Sequence, residues 1–283
     1  MNKITKISVI GAGVMGCGIA QISAEAGYDV LLISHSEESV KNGVERVKHN
    51  LNRVVEKGKL EEEQKNKCLE KIHYSWTYEE IKDADIVIET VPEKLKLKED
   101  VFKKLEKFSN ENAILATNTS SILISKIASA IHRPNRVIGL HFFNPVPVMK
   151  LVEIVMGNET SHNVLKRAND FILSLGKIPV VVKDSPGFVS NRLLMLFINE
   201  AVKILEDGVA AKEDIDTIAK LGFNHPLGPL GVADLIGLDV CKDTMMAIYE
   251  QTNDEKFRPA KKLVKLVEDG KLGKKRGEGF YKY

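Results

Sequence analysis

The sequence predicts an α/β fold: a doubly wound N-terminal domain built on a parallel sheet, followed by an all-helical C-terminal domain. Three observations predict it. A β-branched run, residues 4–10, feeds straight into the glycine turn Gly11-Ala12-Gly13-Val14-Met15-Gly16, and apolar residues at helical spacing follow as far as Gly27. Strand-like and helical runs then alternate up to the short strand 178–182. Beyond Pro186 every apolar pattern is helical. The expected division is therefore 1–186, a dinucleotide-binding domain with a helical hairpin insertion, and 187–283, a helical domain.

The first unit carries the most specific local signal. In a strand–turn–helix setting, Gly11 permits the tight turn, Gly13 lets a pyrophosphate approach the backbone, and Gly16 allows close packing of helix on strand. Val14 and Met15 complete that anion-facing turn. The second strand, Tyr28–Ile33, is expected to end on an acidic residue that holds the adenosine ribose, yet Ser34-His35-Ser36 stands there. Residues 37–70 read as two charged amphipathic helices broken near Gly58, with Arg53, Lys57 and Lys59 available to a polyanionic ligand. Strands follow at 84–90 and 113–121, the second leaving the sheet through Asn118, Thr119, Ser120 and Ser121 at the carboxyl edge, where open α/β sheets bind ligands. A helix is expected over 97–108 between them.

Two further apolar runs place His141 at the end of one and Glu153 within the other, with Asn144, Pro145 and Pro147 between them forbidding regular helix. Two strands so joined bring an imidazole and a carboxylate together at a sheet edge as an acid–base dyad. A helix over 161–175 and the strand 178–182 close the first domain. The second opens with a nearly all-apolar helix, Phe188–Leu205, which suits burial in a bundle or against another subunit. Helices at 212–221, 231–250 and 259–269 follow, with a rigid turn at 223–231 and a glycine-rich, aromatic tail.

Composition bounds the function. With 41 basic against 39 acidic residues the net charge is +2, which argues against general nucleic-acid binding. The three cysteines, Cys17, Cys68 and Cys241, are widely spaced and odd in number, so neither a disulfide framework nor a metal site is expected. Neither a signal-peptide core nor a membrane-length apolar run occurs, and a cytoplasmic protein without a membrane partner is expected.

Taken together, residues 11–16, 86–90, 116–121, 141–153, 185–194, 224–229 and 277–281 closely resemble the short-chain L-3-hydroxyacyl-CoA dehydrogenase family over essentially the whole chain, its bacterial 3-hydroxybutyryl-CoA branch above all. The resemblance implies a Rossmann-type N-terminal domain, a helical C-terminal domain that forms a homodimer, and a substrate cleft between them. It implies His141 as catalytic histidine, Glu153 as its partner, and Ser120 and Asn191 as the residues that hold the substrate. Nicotinamide-dinucleotide contacts would fall on the glycine turn, Glu93, Lys98, Ser120, Asn144 and Lys275, and coenzyme A contacts on the hairpin, at Arg53 and Lys57. The implied activity interconverts (S)-3-hydroxyacyl-CoA and 3-oxoacyl-CoA, with acetoacetyl-CoA as the expected oxo substrate. Two other readings stay open: a sugar-acid dehydrogenase of the L-gulonate 3-dehydrogenase type, and a dinucleotide-binding protein without turnover. Members that use NAD usually carry aspartate where Ser34 stands. Its loss, with His35 and Lys41 nearby, favours NADP(H) over NAD(H).

Overall fold

A computed structural model describes residues 4–283. The chain divides into two compact units, 1–184 and 185–283, two residues ahead of the expected boundary.

In the first unit an eight-stranded sheet runs in the order β3-β2-β1-β4-β5-β6-β7-β8. Its strands are β1 (Lys6–Ile10), β2 (Asp29–Ile33), β3 (Ile72–Ser75), β4 (Ile86–Glu89), β5 (Ile114–Thr117), β6 (Val137–Phe142), β7 (Leu151–Met156) and β8 (Ile178–Lys183). Every pairing is parallel except β6 with β7. The helices are α1 (Val14–Glu25), α2 (Glu37–Glu56), α3 (Glu62–Glu70), α4 (Leu95–Phe108), α5 (Ile124–Ala128) and α6 (His162–Ser174). Strands buried on both faces, such as β4, need continuous apolar runs. The order reverses between β1 and β4, and the turns leaving these two strands form the crevice where doubly wound sheets take their ligands.

The strand β3 falls outside the sequence expectation for a physical reason. It lies at the sheet edge and buries only Ile72 and Ser75, leaving His73 and Tyr74 exposed, so its four residues lack alternation. Ser36 caps α2, accepting from the Ser39 amide at 3.2 Å.

The second unit holds α7 (Ser190–Glu206), α8 (Lys212–Gly222), α9 (Pro229–Ile236), α10 (Leu238–Thr252) and α11 (Lys261–Glu268). The single helix expected over 231–250 is two, because Gly237 sits at φ 106°, a left-handed value that ends one helix and starts the next. The start of α7 is delayed past Phe188 because Gly187 and Phe188 both have positive φ. Buried Asp234 anchors the tail by accepting from the Phe280 and Tyr281 amides at 2.9 and 2.8 Å. A Cβ at Gly279 would stand 2.0 Å from that carboxylate, so the glycine there is a packing requirement. Among the described residues no helix is long and apolar enough to cross a membrane.

Candidate active site

The antiparallel pairing of β6 with β7 sets His141 directly opposite Glu153. Opposed residues of an antiparallel pair put their side chains on the same face, and here His141 Nδ1 lies 2.8 Å from Glu153 Oε2. Both are interior, at 5% and 2% exposure. A carboxylate facing Nδ1 in so dry a site favours the tautomer that carries its proton there. Phe143 packs on the imidazole with ring centres 4.7 Å apart. Asn118, from the polar exit of β5, accepts at 2.9 Å from the Phe142 amide and ties β6 to β5 beside the dyad.

Ser120 stands one turn after β5, and Glu93 organises that turn. The Glu93 carboxylate accepts from the Ser120 and Ser121 amides at 3.0 and 2.9 Å and from the Thr119 and Ser121 hydroxyls. Burial pushes its carboxyl up, but the charge of Lys98 and these hydrogen bonds outweigh burial and hold it below the ordinary carboxylate value. Lys98 is interior, at 1% exposure, and its ammonium lies 2.8 and 3.0 Å from the two oxygens of Glu89 and 3.3 Å from the Val91 carbonyl. Thr117 completes this network by donating to Glu89 at 2.7 Å. Burial is the largest influence on Glu89 and raises its carboxyl above the ordinary value. Glu89 was not singled out from the sequence; an acid inside the apolar run 86–90, nine residues before a lysine, was the available signal.

The glycine turn fits a dinucleotide. Gly11 has φ 108°, and the Thr90 hydroxyl bonds the Ile10 and Gly11 carbonyls at 3.0 Å. A Cβ at Gly16 would lie 1.8 Å from the Gly11 carbonyl oxygen, whereas one at Gly13 would meet nothing within 4 Å. Gly11 and Gly16 are thus demanded by the fold, and Gly13 faces open space over the start of α1, where backbone amides attract an anion. Val14 and Met15 form the first turn of that helix.

From this turn a cleft of ≈ 1170 Å³ runs past Ser34, His35, Ser39, Arg46, Trp76 and Tyr78. Ser34 is buried and its hydroxyl lies 2.7 Å from that of Ser39. Lys41, the cation expected near it, pairs with Glu37 at 2.7 Å and does not line the cleft, whereas Arg46, Lys104 and Lys107 do. Arg46 lies outside the sequence expectation; ten residues beyond Ser36 on an amphipathic helix, nothing local marks it.

The remaining expected residues lie apart from this crevice or in the other unit. Asn144 is exposed in the β6–β7 connection. Arg53 and Lys57 are exposed at the carboxyl end of α2, roughly 30 Å of helix from the Ser36 cap at 1.5 Å per residue. Asn191 is in the first turn of α7, and Lys275 pairs with Asp239 at 2.6 Å. Among the described residues no group of three or more His, Cys, Asp or Glu is disposed to hold a metal ion.

Residues 6–185 match the model of the 3-hydroxyacyl-CoA dehydrogenase NAD binding domain, and residues 187–283 that of the 3-hydroxyacyl-CoA dehydrogenase C-terminal domain. The chain is 46% identical to a 3-hydroxybutyryl-CoA dehydrogenase of Clostridioides difficile, covering 98% of this chain and 99% of the relative. It is 47% identical to a probable 3-hydroxybutyryl-CoA dehydrogenase of Bacillus subtilis, covering 99% and 98%. The crystal structure of the (S)-3-hydroxybutyryl-CoA dehydrogenase PaaH1 from Ralstonia eutropha superposes with a TM-score of 0.96 at 44% identity over 99% of both chains. With both of its parts matched in order and the relatives alike from end to end, the chain belongs to the 3-hydroxyacyl-CoA dehydrogenase family.

Proposed function

We propose that the chain interconverts (S)-3-hydroxyacyl-CoA and 3-oxoacyl-CoA, with 3-hydroxybutyryl-CoA and acetoacetyl-CoA as its preferred pair. The observation that carries the reading is the buried His141–Glu153 pair at 2.8 Å, since a protein that only binds a dinucleotide has no need of a proton acceptor. Held at the glycine turn, a nicotinamide dinucleotide supplies the redox capacity. With Nδ1 committed to Glu153, His141 exchanges a proton with the 3-oxygen through Nε2, as base when the alcohol is oxidised and as acid when the ketone is reduced. Glu153 balances the charge that His141 then carries. Ser120 orients the same oxygen from the turn that Glu93 braces, and Asn191 does so from α7, a positioning role. Glu93, Lys98, Asn144 and Lys275 serve the cofactor and Arg53 and Lys57 the coenzyme A in this reading, which the family likeness supports.

The cofactor is NADP(H) in this reading. Ser34 removes the carboxylate that repels a 2′-phosphate, and Arg46 and His35 line the same cleft with positive or protonatable groups. NADPH is therefore expected to support acetoacetyl-CoA reduction at least as well as NADH in steady-state assays. Ser34→Asp swings the preference to NADH, and Arg46→Ala raises KM for NADPH alone. Strong NADH selectivity, unchanged by Ser34→Asp, would contradict the assignment.

The helical unit leaves Leu193, Ile218, Leu221, Phe223 and Leu227 exposed, Leu221 at 81%, an apolar surface suited to a second copy of the chain. A dimer is expected in sedimentation at micromolar concentration, and Leu221→Glu shifts it to monomer. Phe197 is a poorer probe, because it is half-buried and packs on His225 within its own unit. A dimer of wild-type strength after Leu221→Glu would count against this surface.

A further inference from the structure

Outside the groups already described, one buried cation stands in an unusual setting. Lys177 precedes β8 at 7% exposure, and its ammonium donates to the Val146 carbonyl at 2.7 Å, to the Met149 carbonyl at 2.8 Å and to the Pro147 carbonyl at 3.5 Å. These carbonyls belong to the connection that joins β6 to β7. We propose that Lys177 is a positioning residue of the active site, its ammonium acting as a tethered cation inside a cage of carbonyls that fixes the backbone between His141 and Glu153.

The connection has few other anchors. Among residues 144–150 only Val146 is buried, seated where a Cβ on Gly18 of α1 would come within 2.8 Å of it. Two amides, of Val148 and Met149, fold back on the Pro145 carbonyl at 2.9 and 3.0 Å, which turns the neighbouring carbonyls toward a common point. That point is where the ammonium sits. The parallel pairing of β7 with β8, Leu151 beside Ile178, holds Lys177 at the place where the connection enters β7.

Burial lowers the proton affinity of Lys177 below that of an ordinary lysine, and the charge of Glu25 on α1 works against this. A buried charge is a poor device for stability alone, and carbonyls on an exposed connection are satisfied by water at no such cost. What the arrangement supplies is one backbone conformation for the segment that carries Asn144 and joins the two strands of the dyad. An error of about 1 Å in such a segment is enough to cost on the order of a hundredfold in rate.

The catalytic arm of the test rests on the function proposed above; the hydrogen-exchange arm does not. In the wild type the Val148 and Met149 amides are expected to exchange slowly for so exposed a segment, and Lys177→Met to speed that exchange by roughly tenfold or more without affecting β1 or β4. Lys177→Met is also expected to lower kcat/KM for acetoacetyl-CoA by roughly ten- to a hundredfold. Propylammonium should restore part of that loss in Lys177→Ala, whose vacated stem leaves room for it, and none in Lys177→Met. Wild-type exchange at the rate of a free loop would overturn the proposal even if no variant folds. So would a Lys177→Met protein with exchange and kcat/KM within about twofold of wild type. A wild type inactive on acetoacetyl-CoA but with a protected connection would remove the proposed substrate and leave the cage standing.

Discussion

His141→Gln is expected to lower turnover of acetoacetyl-CoA by roughly two to four orders of magnitude, the range set by a positioned acid–base group, while the dissociation constant of the dinucleotide stays close to wild type. The two effects separate because of where the residues lie. His141 is at the end of β6, whereas the glycine turn follows β1 and is formed by Gly11, Thr90 and the start of α1. Glutamine is close to histidine in size and keeps a hydrogen-bonding partner for Glu153, so the buried carboxylate is not stranded. Single-turnover rates together with dinucleotide titration check the prediction. Weakened cofactor binding with normal chemistry would place His141 outside the proton path.

Glu153→Gln is expected to retain the fold and to lower turnover by up to about 10⁴-fold, the loss seen when an amide replaces the carboxylate of a triad. The amide fails in either orientation. Its oxygen can accept from Nδ1 but cannot balance an imidazolium, and its nitrogen donates to Nδ1 and so forces the wrong tautomer. Glu153 is 2% exposed, so solvent does not supply the missing charge. Circular dichroism and a thermal melt establish that β7 is intact, and the rate then reports the dyad. Wild-type turnover at every pH would reduce Glu153 to a strand residue.

The dyad was legible because its geometry is local. Two apolar runs flank a proline-containing connection, and twelve residues of separation suffice to put His141 and Glu153 across a ladder from each other. The glycine turn was legible for the same reason, as strand, turn and helix are contiguous. What escaped depends on partners distant in sequence. Lys98 is named only through the family resemblance, because on the charged helix α4 its position reads as a surface lysine until Glu89 and Glu93 are placed around it. Asp234 gains its meaning from amides 46 and 47 residues on. Gly237 inside a helical pattern is compatible with either a continuous or a broken helix, and only its φ of 106° decides. Arg46 was likewise hidden, because the cleft it lines with Ser34 is shared with Trp76 and Tyr78, which follow β3.

The central claim is that this dyad serves reduction of a 3-oxoacyl thioester. It is tested most directly by single-turnover mixing of the wild-type protein with acetoacetyl-CoA and saturating NADPH, followed by chiral analysis of the product, with L-gulonate oxidation measured in parallel. The account predicts rapid consumption of one equivalent of NADPH, (S)-3-hydroxybutyryl-CoA as the sole product, and no turnover of the sugar acid. Efficient oxidation of L-gulonate, with acetoacetyl-CoA left unreduced by either NADPH or NADH, would contradict it.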